Sequence, residues 1–254
     1  MKKIGFILLS TATLLVLGTV CDAQTATTLP AKEDGSKQVA AKATQLTAKD
    51  AAKQAFEAHG GEKLKKLRSL SLRGTCDITS FGQAIPATFV MIIKGDKYYF
   101  EINNPFQPLK QIFDGKQTYS SQQTQGFSLP PITSLGFPLL PHTFDTGYVI
   151  AEVGSTKKKA SGFRVTTPDG FYTDFFIDGK NGQVKDYESS YDINGRTVTT
   201  SVTVDEWANA DGVLVPKKFS QRFDLGQITA YASFKAKEIV ANGDVSDDTF
   251  EIDK

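Results

Sequence analysis

The chain has 254 residues, 40% of them hydrophobic, with 29 Lys and Arg set against 28 Asp and Glu. A chain this long buries a sizeable core without disulfide staples. Its near-neutral balance supplies no concentrated positive field, which excludes nucleic acid as a partner.

The first residues, Met1-Lys2-Lys3, are basic, and Ile4 to Val20 carry no charge. A short positive segment before an apolar run is the layout of a secretory signal. The run sits at the lower edge of membrane-spanning length, and Cys21 and Ala23 stand at the small-residue positions before Gln24. Residues 1–23 are therefore expected to be a cleaved signal peptide. In the alternative, Cys21 is lipidated and tethers the protein, although Leu17 lies one position too far out for that signal. Residues 24–45, rich in Thr, Ala, Lys and Gln, are expected to be a flexible leader. The folded domain is expected over 46–254, as a single unit.

Thr47-Ala48-Lys49-Asp50 has the form of a capping box, with an acid suited to a helix N-terminus. Ala48, Ala51, Ala52, Ala55 and Phe56 recur at three- and four-residue steps, which predicts an amphipathic helix. Gly60-Gly61 ends it, and Glu62 to Leu67 predicts a second short helix. His59, just before those glycines, is explained by the helix C-terminus.

From Leu70 onward the period is two. Leu70, Leu72, Cys76 and Ile78 share one strand face; Ser69, Ser71, Arg73, Thr75 and Asp77 share the other. Phe89, Met91 and Ile93 alternate with Val90 and Ile92, so that strand is expected to be covered on both sides. Tyr98, Phe100 and Ile102 follow, then strands near 110–113 and 117–121. Later strands fall at 149–153, 163–167, 171–177, 184–193, 197–207, 213–223 and 227–238. Turns carrying Gly with Asp, Asn or Lys separate nearly all of them. Asn194-Gly195 is a two-residue hairpin signal.

The total is about eleven strands joined mostly by short turns, hence a largely antiparallel sheet with no βαβ rhythm. The fold class is mainly β (α+β): a large curved antiparallel sheet, or unclosed β-barrel, with an N-terminal helix packed against it or lidding it.

Residues 122–147 break the pattern. Pro130, Pro131, Pro138 and Pro141 fall among Phe127, Leu129, Ile132, Leu135, Phe137, Leu139, Leu140 and Phe144. An apolar connection of this length folds down onto something hydrophobic, as a fixed plug or as the cover of a ligand cavity.

Chemistry-bearing residues are few. His59 and His142 are the only histidines, and no zinc-ligand spacing, Gly-x-Ser-x-Gly elbow or phosphate-binding glycine loop occurs. Asp186 with Glu188, and Asp205 with Glu206, are carboxylate pairs that a glycosidase would need, but a solvated sheet face explains them equally well. Cys76 alternates with apolar neighbours and reads as a small buried hydrophobe. Lys157-Lys158-Lys159 reads as a solvated hairpin tip. No enzymatic activity, metal or cofactor is expected.

Three segments carry a resemblance to a known family. They are Ala51 to Gly61 followed by Leu64, Leu67 and Leu70; the stretch Asp211-Gly212-Val213-Leu214-Val215-Pro216-Lys217-Lys218-Phe219; and the ending Ile239 to Phe250. Together they make residues 46–252 resemble the bacterial lipoprotein carriers of the LolA and LolB type, described as outer-membrane lipoprotein-sorting proteins. The resemblance implies an unclosed barrel with helices over an apolar cavity, and a role in the periplasm. A lipid or an acylated lipoprotein would be the ligand, an envelope protein a further partner, and the protein a monomer. The ligand-binding residues would be Phe89, Met91, Ile93, Phe100, Phe127, Leu135, Phe137, Leu139, Phe175 and Val202. The best-known carriers couple lid and cavity through an early-strand arginine; Arg73 is nearest by position, but alternation puts it on the polar face. The competing expectation is a structural or protein-interaction domain of the envelope with a filled core.

Overall fold

The structure, a computed structural model, describes residues 46–80, 83–105, 108–121, 132–153, 161–193, 195–224 and 229–252. The expected signal peptide and leader, Cys21, Phe127, the lysine tip at 157–159 and Asn194 lie outside the described residues. No helix among the described residues is long and apolar enough to cross a membrane.

Helix α1 spans Ala48–Ala58. Its N-terminus is capped as the sequence predicts: the Asp50 amide donates to Thr47 Oγ1 at 3.2 Å, and that hydroxyl donates to the Asp50 carboxylate at 2.6 Å. The alanines and Phe56 form the buried face. A later turn approaches the helix closely at Gln54 because residue 182 is glycine: a Cβ on Gly182 would lie 2.7 Å from the Gln54 carbonyl oxygen. The helix ends where Gly60 and Gly61 take φ of +116° and +53°, and α2 follows at Glu62–Lys65.

Twelve strands then form one antiparallel sheet. The first five are β1 (Ser69–Ser80), β2 (Gln83–Lys94), β3 (Lys97–Asn103), β4 (Leu109–Phe113) and β5 (Thr118–Ser120). The remaining seven are β6 (Val149–Ala151), β7 (Ser161–Thr166), β8 (Tyr172–Ile177), β9 (Val184–Ile193), β10 (Arg196–Ala210), β11 (Val213–Asp224) and β12 (Thr229–Ala241).

The strand order is β5-β4-β3-β2-β1-β12-β11-β10-β9-β8-β7-β6. The first and last strands therefore meet near the sheet centre, where β1 pairs with β12. Two hairpin meanders run outward from that seam, and the 121–148 connection joins their outer strands. The edges β5 and β6 do not pair, so the barrel is unclosed.

Turn chemistry follows the sequence. Asp211 and Gly212, with φ of +56° and +83°, make the two-residue hairpin between β10 and β11. At the seam the register shifts between Arg73 and Gly74. A Cβ on Gly74 would stand 2.0 Å from the Lys235 carbonyl oxygen, so only glycine fits this bulge.

The inward faces of both meanders, α1 and the 137–140 stretch share one core. The double covering expected for β2 is present. On its outer face Ile92 packs with Ile112 and the fully buried Phe250, which the short 3-10 turn Asp247–Phe250 folds back over the sheet. Lys94 and Lys97 fix that turn through Asp247, at 3.1 and 2.9 Å.

Candidate functional site: a covered hollow in the sheet

The curl of the sheet brings β1–β4 opposite β9–β11 and leaves a cavity of about 160 Å³ between them. Leu70 and Leu72 come from β1, Met91 and Ile93 from β2, Tyr98 and Phe100 from β3. The facing wall carries Tyr187, Ser189 and Tyr191 of β9, Val202 of β10, and Phe219 and Phe223 of β11. Gln111, Thr200 and Gln221 add polar groups, with Gln221 Nε2 donating to Thr200 Oγ1 at 2.9 Å.

Leu135 to Pro138 cover the cavity. This part of the irregular stretch forms two 3-10 turns, Ile132–Ser134 and Phe137–His142, as expected where prolines deny a regular ladder. It spans the hollow from wall to wall. Thr133 Oγ1 donates to the Asp96 carbonyl at the β2–β3 turn (3.4 Å), and the Gly136 amide donates to Thr173 Oγ1 on β8 (2.8 Å). Gly136, at φ +67°, lies so close to the Tyr187 ring that a Cβ would approach it to 2.9 Å.

Beyond the cover lies a second, wider hollow of about 400 Å³. Leu64, Leu67 and Arg68 line it, with Phe113, Pro141, His142 and Tyr148. The two hollows share Leu70, Ile93, Phe137 and Pro138 as their common wall. At its rim Asp145 holds Lys65 at 2.7 Å and His142 at 2.8 Å.

Of the residues expected to face a ligand, Met91, Ile93, Phe100, Leu135, Phe137 and Val202 meet around the first cavity. Phe89, Leu139 and Phe175 do not line it. Each is at most 1% exposed: Phe89 packs on Phe234, and Phe175 stacks on Phe163. Inward-facing side chains of a curved sheet divide by height, some into the sealed core and some onto the cavity wall.

Arg73 projects from the outer face beside Tyr99, Glu101 and Lys110, as alternation predicts, and so stands across the sheet from the cavity. Among the acids on that face, Asp186 accepts from Thr203 and Glu206 pairs with Lys217, both at 2.6 Å.

His59 has a role that the sequence reading misses. Its ring is fully buried, against Trp207 at 4.2 Å and Phe137 at 5.7 Å. Nδ1 lies 3.0 Å from the Leu214 carbonyl, and Nε2 accepts the Val184 amide at 3.1 Å. The ring is therefore neutral, with its proton on Nδ1, and it ties α1 to β9 and β11. Burial lowers its pKa to about 4, against a smaller upward pull from the Leu214 carbonyl. The helix C-terminus alone does not account for this residue. Adjacent glycines were the available signal, since they let the ring descend into the sheet.

The described residues thus form an unclosed antiparallel sheet with a covered, mostly apolar hollow. No family model and no curated protein matches the chain. Solved structures do. A LolA superfamily protein from Nitrosomonas europaea superposes with a TM-score of 0.51 at 13% identity, over 82% of this chain and 98% of that one. A DUF1329 family protein from Desulfovibrio piger gives 0.48 at 11%, over 82% and 98%. An outer membrane lipoprotein-sorting protein domain from Vibrio parahaemolyticus gives 0.45 at 9%, over 78% and 97%. At these identities the likeness is one of fold: the chain has the architecture of the LolA superfamily protein.

Proposed function

We propose that this is an exported, non-catalytic carrier that holds a lipid, or the acyl chain of a lipid-modified protein, in the hollow of its sheet. The observation that carries the reading is the covered cavity. Its walls are mostly apolar, and its cover is a proline-rich stretch instead of a packed helix. The basic and apolar start of the chain supports delivery to the periplasm, with cleavage after Ala23 and a soluble monomer, or else lipidation of Cys21.

Size bears on mechanism. A cavity near 150 Å³ holds one benzene-sized group, so the space under the closed cover takes only part of an acyl chain. Displacing Phe137 and Pro138, the wall shared with the wider hollow, would open a continuous channel. The modest closed volume also favours the second reading, a structural or protein-contact domain of the envelope with a filled core.

Titration with an environment-sensitive fluorescent acyl ester separates the two. The carrier reading expects saturable binding at one site per chain. Val202→Trp, which fills the cavity, is expected to weaken it at least tenfold. Absence of saturable binding to the native protein would sink the carrier reading.

A further inference from the structure

Three tyrosines line the cavity, Tyr98, Tyr187 and Tyr191, and none of their hydroxyls makes a hydrogen bond among the described residues; Tyr98 and Tyr187 are the more deeply buried pair. Tyr98 is 3% exposed, yet its hydroxyl makes no hydrogen bond among the described residues. Among the described residues no buried side-chain oxygen is sealed away without a partner, so that hydroxyl opens onto the cavity space. Tyr187, on the facing wall and against the cover at Gly136, presents its hydroxyl in the same way.

Of the smaller hydroxyls on the same wall, two are already bonded. Ser189 is bonded to Thr173 at 2.7 Å, and Thr200 accepts from Gln221. An unpaired buried hydroxyl costs about 1–3 kcal/mol, and phenylalanine would build the same wall without that cost, as Phe100 does one inward position away.

The charge of the site narrows what could answer those donors. None of the described residues lining the cavity is charged. A carboxylate or phosphate drawn inside would lose its hydration and find no cation, a penalty of several kcal/mol. The carbonyl oxygen of an ester or amide accepts a phenol hydrogen bond and has no charge to desolvate. The tyrosines themselves stay neutral: burial pushes both hydroxyls far above the ordinary tyrosine range, and the nearness of Tyr187 adds to the effect at Tyr98.

We propose that Tyr98 and Tyr187 form a carbonyl-binding subsite beneath the Leu135–Pro138 cover, which selects an ester- or amide-linked acyl chain over a free fatty-acid anion. The subsite rests on the carrier reading, gives its ligand class, and assigns the two hydroxyls as donors to the first carbonyl of the chain.

Displacement of a bound neutral fluorescent dye tests it, with methyl dodecanoate, dodecanoate and dodecane at pH 8, each below its aggregation limit. The ester is expected to bind about tenfold tighter than either of the others, a difference near 1.4 kcal/mol. In the Y98F/Y187F double variant, whose thermal midpoint checks folding, the advantage of the ester over dodecane is expected to vanish. Dodecanoate binding as tightly as the ester, or an ester advantage that survives in the double variant, overturns the subsite while leaving the carrier reading standing. No displacement by any of the three overturns the carrier reading, and the subsite with it.

Discussion

The hollow of the sheet is treated differently along its length. On the side of β6–β8, helix α1 lies in it and the packing is complete: Phe163, Val165, Phe175 and the alanines Ala51, Ala52 and Ala55 are fully buried. Polar side chains sealed around that packing are bonded: His59 has both ring nitrogens engaged, Thr173 on β8 bonds Ser189 and accepts from the Gly136 amide, and Asp174 holds Arg164. Between β1–β4 and β9–β11 the same kinds of apolar residue stand apart around a cavity, and the phenols of Tyr98, Tyr187 and Tyr191 make no hydrogen bond among the described residues. Polar atoms in the filled half are satisfied by the fold, whereas the open half leaves its tyrosine hydroxyls for something else. Mutations that delete a polar group should therefore cost stability in one half and function in the other.

The largest expected effect is in the filled half. His59→Ala strands the Leu214 carbonyl and the Val184 amide and opens a cavity beside Trp207. A loss of about 3–5 kcal/mol in denaturant unfolding is expected. A loss below 1 kcal/mol would show that the two halves are not packed differently.

Acid titration sharpens the same contrast. Because the folded pKa of His59 is lowered to about 4 from an ordinary 6.5, the unfolded chain binds a proton in that interval and the folded chain does not. Stability is then whole above pH 6.5 and declines as pH falls towards 4, by about 3 kcal/mol in total. A protonated ring would present an N–H to the Val184 N–H, two donors face to face. The slope is expected to disappear from His59→Phe, measured as unfolding free energy against pH.

Smaller effects follow. Thr47→Ala removes the α1 cap and is expected to cost about 1 kcal/mol, read from the thermal midpoint. Tyr98→Phe is expected to leave stability within about 0.5 kcal/mol or to raise it, since no bond within the described fold is lost. A clear destabilisation there would give the hydroxyl a structural role and erase the distinction between the halves.

Much of the architecture was legible because period-two alternation and glycine turns are local signals. They marked the strands, the bounds of α1, the double covering of β2 and the outward face of Arg73. The described part of the irregular stretch, from Ile132 onward, was legible too, since Pro138 and Pro141 among apolar residues cannot join a ladder. The site was readable only in part. Alternation assigns Phe89, Phe175 and Val202 to the inner face without saying how deep each lies, so Val202 meets the cavity and the other two are sealed beneath it. Tyr98 shares its face with Phe100 and Ile102, and a hydroxyl on an otherwise apolar face was a usable sign. Tyr187, Ser189 and Tyr191 show the same alternation on β9. The partners of His59 lie 125 and 155 residues away in sequence, beyond any window that reads local periodicity.

The seam at the sheet centre bears on how the molecule assembles. Every strand pairing but one joins neighbours in the chain; the exception sets Leu70 beside Ala241. Each meander can zip up from its own hairpins at little entropic cost, while joining them requires closure of nearly the whole domain. Because Gly74 leaves no room for error against Lys235, the final docking has a single admissible alignment. Until it is reached, β1 and β12 are exposed edges open to pairing with other chains, so the β1–β12 seam is where slow folding and misassembly would both originate.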